Sequence, residues 1–202
     1  MIETITQIDH SILIFIQEHL RMDWLSDVNI AVTHLGDHGK LWIILCLVLL
    51  LFKRTRKAGI CGLLALLINL LITNITLKPL IARVRPYDQF QDLVLLIEKQ
   101  GDFSFPSGHT SSSFAAAWAI FMMDRIKGKG DGVIWKDHGQ ATALGIASIV
   151  LAVWIGWTRL YVGVHFPTDV LVGFAIGIFS AWAAEKIIEA VLSKWKEKKQ
   201  QI

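Results

Sequence analysis

Five long apolar blocks, parted by short polar stretches, constrain this chain more than any other feature. They cover about residues 39–52, 58–77, 110–123, 141–157 and 170–191. Hydrocarbon offers the backbone no hydrogen-bond partner, so a block buried in lipid must pair its own N–H and C=O groups, as an α-helix does. Spanning takes about 20 residues, with ~17 as a lower limit. The first and third blocks fall short, so they are expected to recruit neighbours, from Val32 onward and from the Ser107 turn respectively. Hydrophobic residues make up 53% of the 202 and charged residues only 18%, where a soluble domain carries about a quarter. The expected fold is an all-α integral membrane bundle of about five transmembrane helices, with six as the alternative.

Residues 1–38 break the pattern. Glu3, Asp9, Glu18, Arg21, Asp23 and Asp27 interrupt any apolar run, yet Ile5, Ile8, Ile12, Ile16 and Leu20 share one helical stripe. One or two amphipathic helices are expected there, on the membrane surface or over the bundle, with 39–202 as the transmembrane domain. A formal net charge of +3 makes no case for nucleic acid as a partner. Placement of the basic residues says more. They cluster at 53–57, 125–136 and 194–199, all on one side of the bilayer if five spans alternate. Loops rich in Lys and Arg stay cytoplasmic. The N-terminal segment and the 78–106 and 158–169 loops are then expected on the outer face of a cell membrane, and a sixth span within 1–38 leaves those faces unchanged. Cys46 and Cys61 lie in apolar blocks without metal-type spacing and read as core or lipid-facing residues. Neither a cleavable signal nor a lipidation motif is evident.

Three polar clusters fall on that outer face, each at the end of a span. In the last, Phe166-Pro167 suggests a helix starting at Pro167, with Asp169 in its first turn reaching back toward His165. A carboxylate on one ring nitrogen fixes the tautomer and leaves the other lone pair free, which suits a nucleophile. A simple helix cap explains the same pair. Ser107-Gly108 opens the third block, where free amides and the helix dipole make a phosphate cradle. His109 follows, placed to donate a proton; a cap with a chance histidine is the plainer reading. Lys78, Arg85 and Arg159 supply cations that suit phosphoryl oxygens, although basic residues also flank spans to snorkel. Arg83 and the 53–57 run are read as snorkelling.

Taken together, Lys78 six residues before Arg85-Pro86, then Pro106-Ser107-Gly108-His109, then Thr158-Arg159 with His165 and Asp169, resemble the three signatures of the type 2 phosphatidic acid phosphatase (PAP2) superfamily. The resemblance covers residues 28–190 in order and spacing. Thr158 stands where the family pattern has serine; it keeps a hydroxyl and is expected to keep a phosphate contact. The resemblance implies a PAP2/haloperoxidase-like helical core and a two-step phosphatase reaction without metal or cofactor. His165 would form a phosphohistidine, His109 would protonate the leaving group and then activate water, and Asp169 would support His165. Lys78, Arg85, Ser107, Gly108 and Arg159 would bind phosphate. The implied substrate is a lipid phosphate or pyrophosphate, undecaprenyl pyrophosphate first, with phosphatidylglycerophosphate, phosphatidate and diacylglycerol pyrophosphate as alternatives. Vanadate-dependent haloperoxidation is disfavoured because those relatives are soluble; a non-enzymatic membrane protein is the remaining class. Residues 33–39 resemble the stretch before the first core span of short bacterial members. His34 and His38 there are left outside the catalytic set, and Tyr87 and Phe105 read equally as pocket-shaping or interfacial aromatics.

Overall fold

The computed structural model describes residues 2–122 and 138–200, so the basic 125–136 loop lies outside the described residues. The described chain is helical, with no strand. Its elements are α1 (Ile2–His19), α2 (Asp23–Leu35), a 3-10 turn (Asp37–Gly39), α3 (Lys40–Leu51), α4 (Arg56–Asn69), a π-helical stretch (Leu70–Leu77), α5 (Lys78–Ile81), α6 (Pro86–Gln89), α7 (Gly108–Met122), α8 (His138–Tyr161) and α9 (Pro167–Gln200).

The molecule is a multi-pass membrane protein. Among the described residues three helical segments are long and apolar enough to cross a bilayer, Arg56–Gln89, Ala143–Tyr161 and Pro167–Lys194. α2 and α3, bent by 45° across the Asp37–Gly39 turn, form a fourth candidate. The first block thus recruits α2, as its shortness required. α7, built on the third block, is the central helix rather than a lipid-facing one. Ala115, Ala116, Ala117 and Ala119 are wholly buried, because α4, α8 and α9 surround it. Leu51, Val150 and Leu171 on the surrounding helices point outward, as a lipid-facing surface requires.

Small residues let the helices approach. A Cβ on Gly173 would lie 2.8 Å from the Ser107 carbonyl oxygen, and one on Gly177 would lie 2.6 Å from that of Ser111. This Gly-x-x-x-Gly face of α9 therefore packs directly on the start of α7, where polar chemistry is concentrated. Trp42 Nε1 donates to Ser113 Oγ at 2.8 Å, satisfying the one polar atom of a wholly buried indole.

The stripe expected on α1 divides. Ile5, Ile8 and Ile12 face outward, and the helix packs on the bundle through Asp9, Leu13 and Ile16. A buried aspartate on an amphipathic helix requires a partner, and that partner belongs to the site.

Candidate active site

The chain turns sharply between α8 and α9, and that turn carries the central histidine. Gly163 takes φ 84°, which a side chain would resist. Arg21 clamps the turn, its Nε donating to the Tyr161 carbonyl at 2.9 Å and its Nη1 to the Val94 carbonyl at 2.7 Å. His165 is thereby delivered into the interior at 1% exposure. Burial first, then Arg85, Arg159 and Lys78, hold its ring well below the usual imidazole range, so it is neutral at neutral pH.

Asp169 anchors the same turn. Its Oδ2 accepts the Phe166 N–H at 2.9 Å and the Ser104 hydroxyl, and lies 3.5 Å from His165 Nδ1. The expected aspartate and histidine are adjacent, at a separation longer than a normal hydrogen bond and with the ring neutral. The other oxygen, Oδ1, accepts Arg83 Nη1 at 2.6 Å, and Arg83 Nη2 donates to Asp9 Oδ2 at 2.9 Å. Asp9 also accepts from the Thr168 amide at 3.1 Å and the Thr168 hydroxyl at 2.5 Å. Arg83 is therefore not a snorkelling residue. It is a largely buried cation shared by two aspartates, with its guanidinium carbon 3.9 Å from the centre of the Phe166 ring. Its local sequence, one more arginine beside an apolar helix, carries no trace of partners 74 and 86 residues away.

The start of α7 is locked to this turn, since the Ser107 amide donates to the Asp169 carbonyl at 3.1 Å. Ser107 Oγ caps the helix, accepting the Thr110 amide at 3.4 Å and the Thr110 hydroxyl at 3.0 Å. The Ser107 amide is thus spent on the fold, and the amides that remain for an anion at this terminus are those of Gly108 and His109. A Cβ on Gly108 would come within 3.8 Å of Lys78 Nζ, which shows how closely the first two signatures meet. Thr158 is wholly buried. Its hydroxyl donates to the Ile155 carbonyl of its own helix at 2.7 Å, so in this arrangement its proton is engaged by the fold.

Three cations converge from separate elements. Lys78 Nζ and Arg85 Nη2 both hold the carboxylate of Asp102, whose side chain is 50% exposed, and Arg85 Nη1 donates to the Val164 carbonyl at 2.7 Å. Burial alone would raise the Asp102 carboxyl, but Lys78 and Arg85 outweigh it and bring it down to about 2. Arg159, 1% exposed, uses Nη1 on Thr33 Oγ1 at 2.6 Å. Its Nε and Nη2 are buried without a partner among the described residues. His109, in turn, places Nε2 2.9 Å from Asp37 Oδ1. Asp9, Asp37, Asp102 and Ser104 were not foreseen as site residues; only Asp37 lay in a stretch that the sequence singled out.

A cavity of about 810 Å³ opens beside this cluster, with Arg159 behind its lining. Lys78, Arg85, Asp102, Gly108, His109 and His165 line its polar end, and Ile43, Leu63, Leu66, Leu67 and Leu70 line an apolar wall between α3 and α4. Such a space accepts an anionic group at one end and a hydrocarbon chain at the other.

Known proteins place the chain. It is 28% identical to an undecaprenyl-diphosphatase of Sulfolobus acidocaldarius over 81% of its length and 72% of that protein's. It is 32% identical to a phosphatidylglycerophosphatase B of Bacillus subtilis over 79% and 73% of the two lengths. Among solved structures, a transmembrane PAP2-type phosphatidylglycerolphosphate phosphatase of Bacillus subtilis superposes with a TM-score of 0.70 at 28% identity, covering 93% of this chain and 88% of that one. Aquifex aeolicus LpxE superposes equally well, TM-score 0.70 at 26% identity, over 87% and 93%. The profile of the PAP2 superfamily matches residues 58–192, and the chain belongs to that family of phosphatases.

Proposed function

We propose that this membrane lipid phosphatase removes the terminal phosphate of undecaprenyl pyrophosphate, through a phosphohistidine on His165 and without metal. One observation carries the phosphate reading. A guanidinium nine-tenths or more buried with two unpartnered nitrogens is costly unless an anion comes to it, and Arg159 is such a group, beside Lys78, Arg85 and a neutral imidazole.

The reaction follows from these positions. His165 Nε2 attacks the terminal phosphorus, and the bond from that phosphorus to the bridging oxygen breaks as a P–N bond forms, so that the lipid monophosphate departs. His109 passes its proton to the departing oxygen. It then takes a proton from water, whose oxygen attacks phosphorus; the P–N bond breaks and inorganic phosphate leaves with His165 restored. Lys78, Arg85, Arg159 and the Gly108 and His109 amides stabilise charge on the non-bridging oxygens, where phosphoryl transfer concentrates it. Asp169 holds the His165 turn, and Ser107 caps the helix that presents the amides.

The apolar wall from Ile43 to Leu70 favours a lipid over a soluble phosphate ester, and the similarity to an undecaprenyl-diphosphatase favours a polyprenyl chain. The similarity to a phosphatidylglycerophosphatase supports the glycerophospholipid phosphate as the second reading. The 53–57 basic run lies at the far end of α4 from Lys78, so a cytoplasmic position for that run puts the cavity on the outer face of the cell membrane.

The test is phosphate release by the purified protein from radiolabelled polyprenyl pyrophosphate, phosphatidylglycerophosphate and phosphatidate, with alkaline detergent quenching to trap labelled protein. We expect preference for the pyrophosphate, an acid-labile label absent from His165→Ala, inhibition by vanadate and indifference to chelators. Undiminished turnover in folded His165→Ala overturns the mechanism.

A further inference from the structure

The α2–α3 corner, which the phosphate chemistry leaves without a role, is built around His109. Asp37 Oδ1 lies 2.9 Å from His109 Nε2, and Asp37 Oδ2 lies 2.9 Å from His34 Nδ1, so the carboxylate is held from both sides. His38 and Gly39 take φ 54° and 66°, two left-handed residues in succession that turn the chain back over α7. Such a conformation at a histidine is costly and persists only where the surroundings impose it. At Gly36 a Cβ would lie 2.7 Å from His109 Cδ2, so the ring lies against bare backbone that only glycine provides. The corner forms one wall of the cavity at Gly36, Asp37, His38 and Gly39.

From this arrangement we propose that Asp37 is the positioning residue of the proton donor, fixing the His109 ring by its Nε2–H and leaving Nδ1 to carry the transferable proton. The inference rests on the reading of His109 as donor. Burial first, then Arg159 and Lys78, hold this ring below the usual imidazole range; Asp37 is the facing carboxylate that opposes them, and an arriving phosphate adds further negative charge on the side of the protonated donor. In the first step the Nδ1 proton passes to the departing oxygen as its bond to phosphorus breaks, and His109 is left neutral with its orientation still held. His165 and His109 thus each have an aspartate beside them: Asp169 on the α9 side and Asp37 on the α2–α3 side.

The leaving group separates this role from a structural one. An alkoxide departing from phosphatidate needs a proton, whereas p-nitrophenolate leaves as a stable anion. The measured quantity is kcat/KM of the full chain in detergent micelles, which covers steps through P–O cleavage and omits later hydrolysis. For Asp37→Ala we expect a loss of about 100-fold on phosphatidate and under about 5-fold on p-nitrophenyl phosphate. Asp37→Asn, which can still accept the Nε2–H bond, should fall between Asp37→Ala and the parent on phosphatidate, and it carries the test if the alanine variant does not fold. Equal losses on both substrates make Asp37 structural and overturn the proposal. Gains on both make it a carboxylate that merely fills an anion position, and they overturn the proposal as well. His109→Ala is the control: if it discriminates between leaving groups and Asp37→Ala does not, only the assignment of Asp37 fails. If His109→Ala does not discriminate, the donor reading fails and Asp37 falls with it.

Discussion

Replacing Arg83 by glutamine leaves the side chains of Asp9 and Asp169, 3% and 0% exposed, without the cation they share. Breaking a buried pair by removing one partner costs about 3–5 kcal/mol, since the charge left behind is neither solvated nor paired. Arg83 keeps 19% exposure, so water screens part of this, and ~2–4 kcal/mol is the expected loss. A snorkelling arginine at a span end would cost no more than ~0.5 kcal/mol. The two accounts of this residue thus differ by a measurable amount. The assay is SDS-titrated unfolding in mixed micelles followed by tryptophan fluorescence, for Arg83→Gln, Asp9→Asn and the double variant. In the Asp9→Asn background only Asp169 is stranded by the loss of Arg83, so the double variant should be more stable than additivity predicts by about 1–2 kcal/mol. Because Asp169 also holds the Phe166 amide, and with it the His165 turn, kcat should fall in Arg83→Gln more than KM rises. A loss below ~0.5 kcal/mol for Arg83→Gln, or a coupling indistinguishable from zero, refutes the shared-cation account.

A folded-state His165 held well below the imidazole range takes up its proton only below pH 6.5, whereas an unfolded histidine does so near that value. The ascending limb of kcat/KM should therefore lie below pH 6.5, and this group's contribution to stability should fall as pH drops below 6.5; an ascending limb at or above 6.5 contradicts a buried neutral nucleophile. Asp102 occupies two of the cations that a phosphate would use, through a half-exposed pair worth about 1 kcal/mol after screening, so Asp102→Asn should bind vanadate roughly 5-fold more tightly. An unchanged or weaker vanadate inhibition constant would mean that Asp102 helps to build the site rather than competing for it. Gly177→Ala should destabilise the protein, because overpacking against the Ser111 carbonyl and Phe114 costs about 1–3 kcal/mol against a helix-propensity gain of ~1 kcal/mol. A more stable alanine variant would show that α7 and α9 are not in close contact there.

Fold class was legible because hydrocarbon forces helices, and the apolar blocks coincide with α3, α4, α7, α8 and α9. Which helix stands at the centre was not. α7 and the lipid-facing helices are equally apolar in sequence, since a membrane core and the lipid around it favour the same residue types. The alanine-rich run at 115–119 and the glycines at 173 and 177 were the signal available, small residues where backbones approach, and hydropathy is blind to them. The split stripe of α1 has a related cause. Its isoleucines point to lipid and its one buried carboxylate points inward, so the polar residue of this amphipathic helix marks the packed side.

His109, His165, Lys78, Arg85 and Arg159 announced themselves because each lies in a short local pattern, and the fold needed only to bring three such patterns to one end of the bundle. The acids that balance them had no such pattern. Asp9, Asp37 and Asp102 come from α1, from the α2–α3 corner and from the 90–107 loop, and they meet Arg83, His109 and the Lys78–Arg85 pair across 74, 72, and 24 and 17 residues of chain. Charge neutralisation acts through space and tolerates any scaffold that puts a carboxylate within reach, so it imposes no spacing along the chain. Phosphoryl recognition, by contrast, requires amides, forks and rings in fixed mutual geometry, and that geometry is easiest to hold on contiguous turns. The same asymmetry explains Arg159. Its signature residue was evident in sequence, but that Thr33 takes one of its nitrogens and leaves two without a partner among the described residues depends on α2 packing against α8. The N-terminal segment, which lacks every family signature, thus supplies Thr33 and Asp37 as partners of two signature residues, Arg159 and His109.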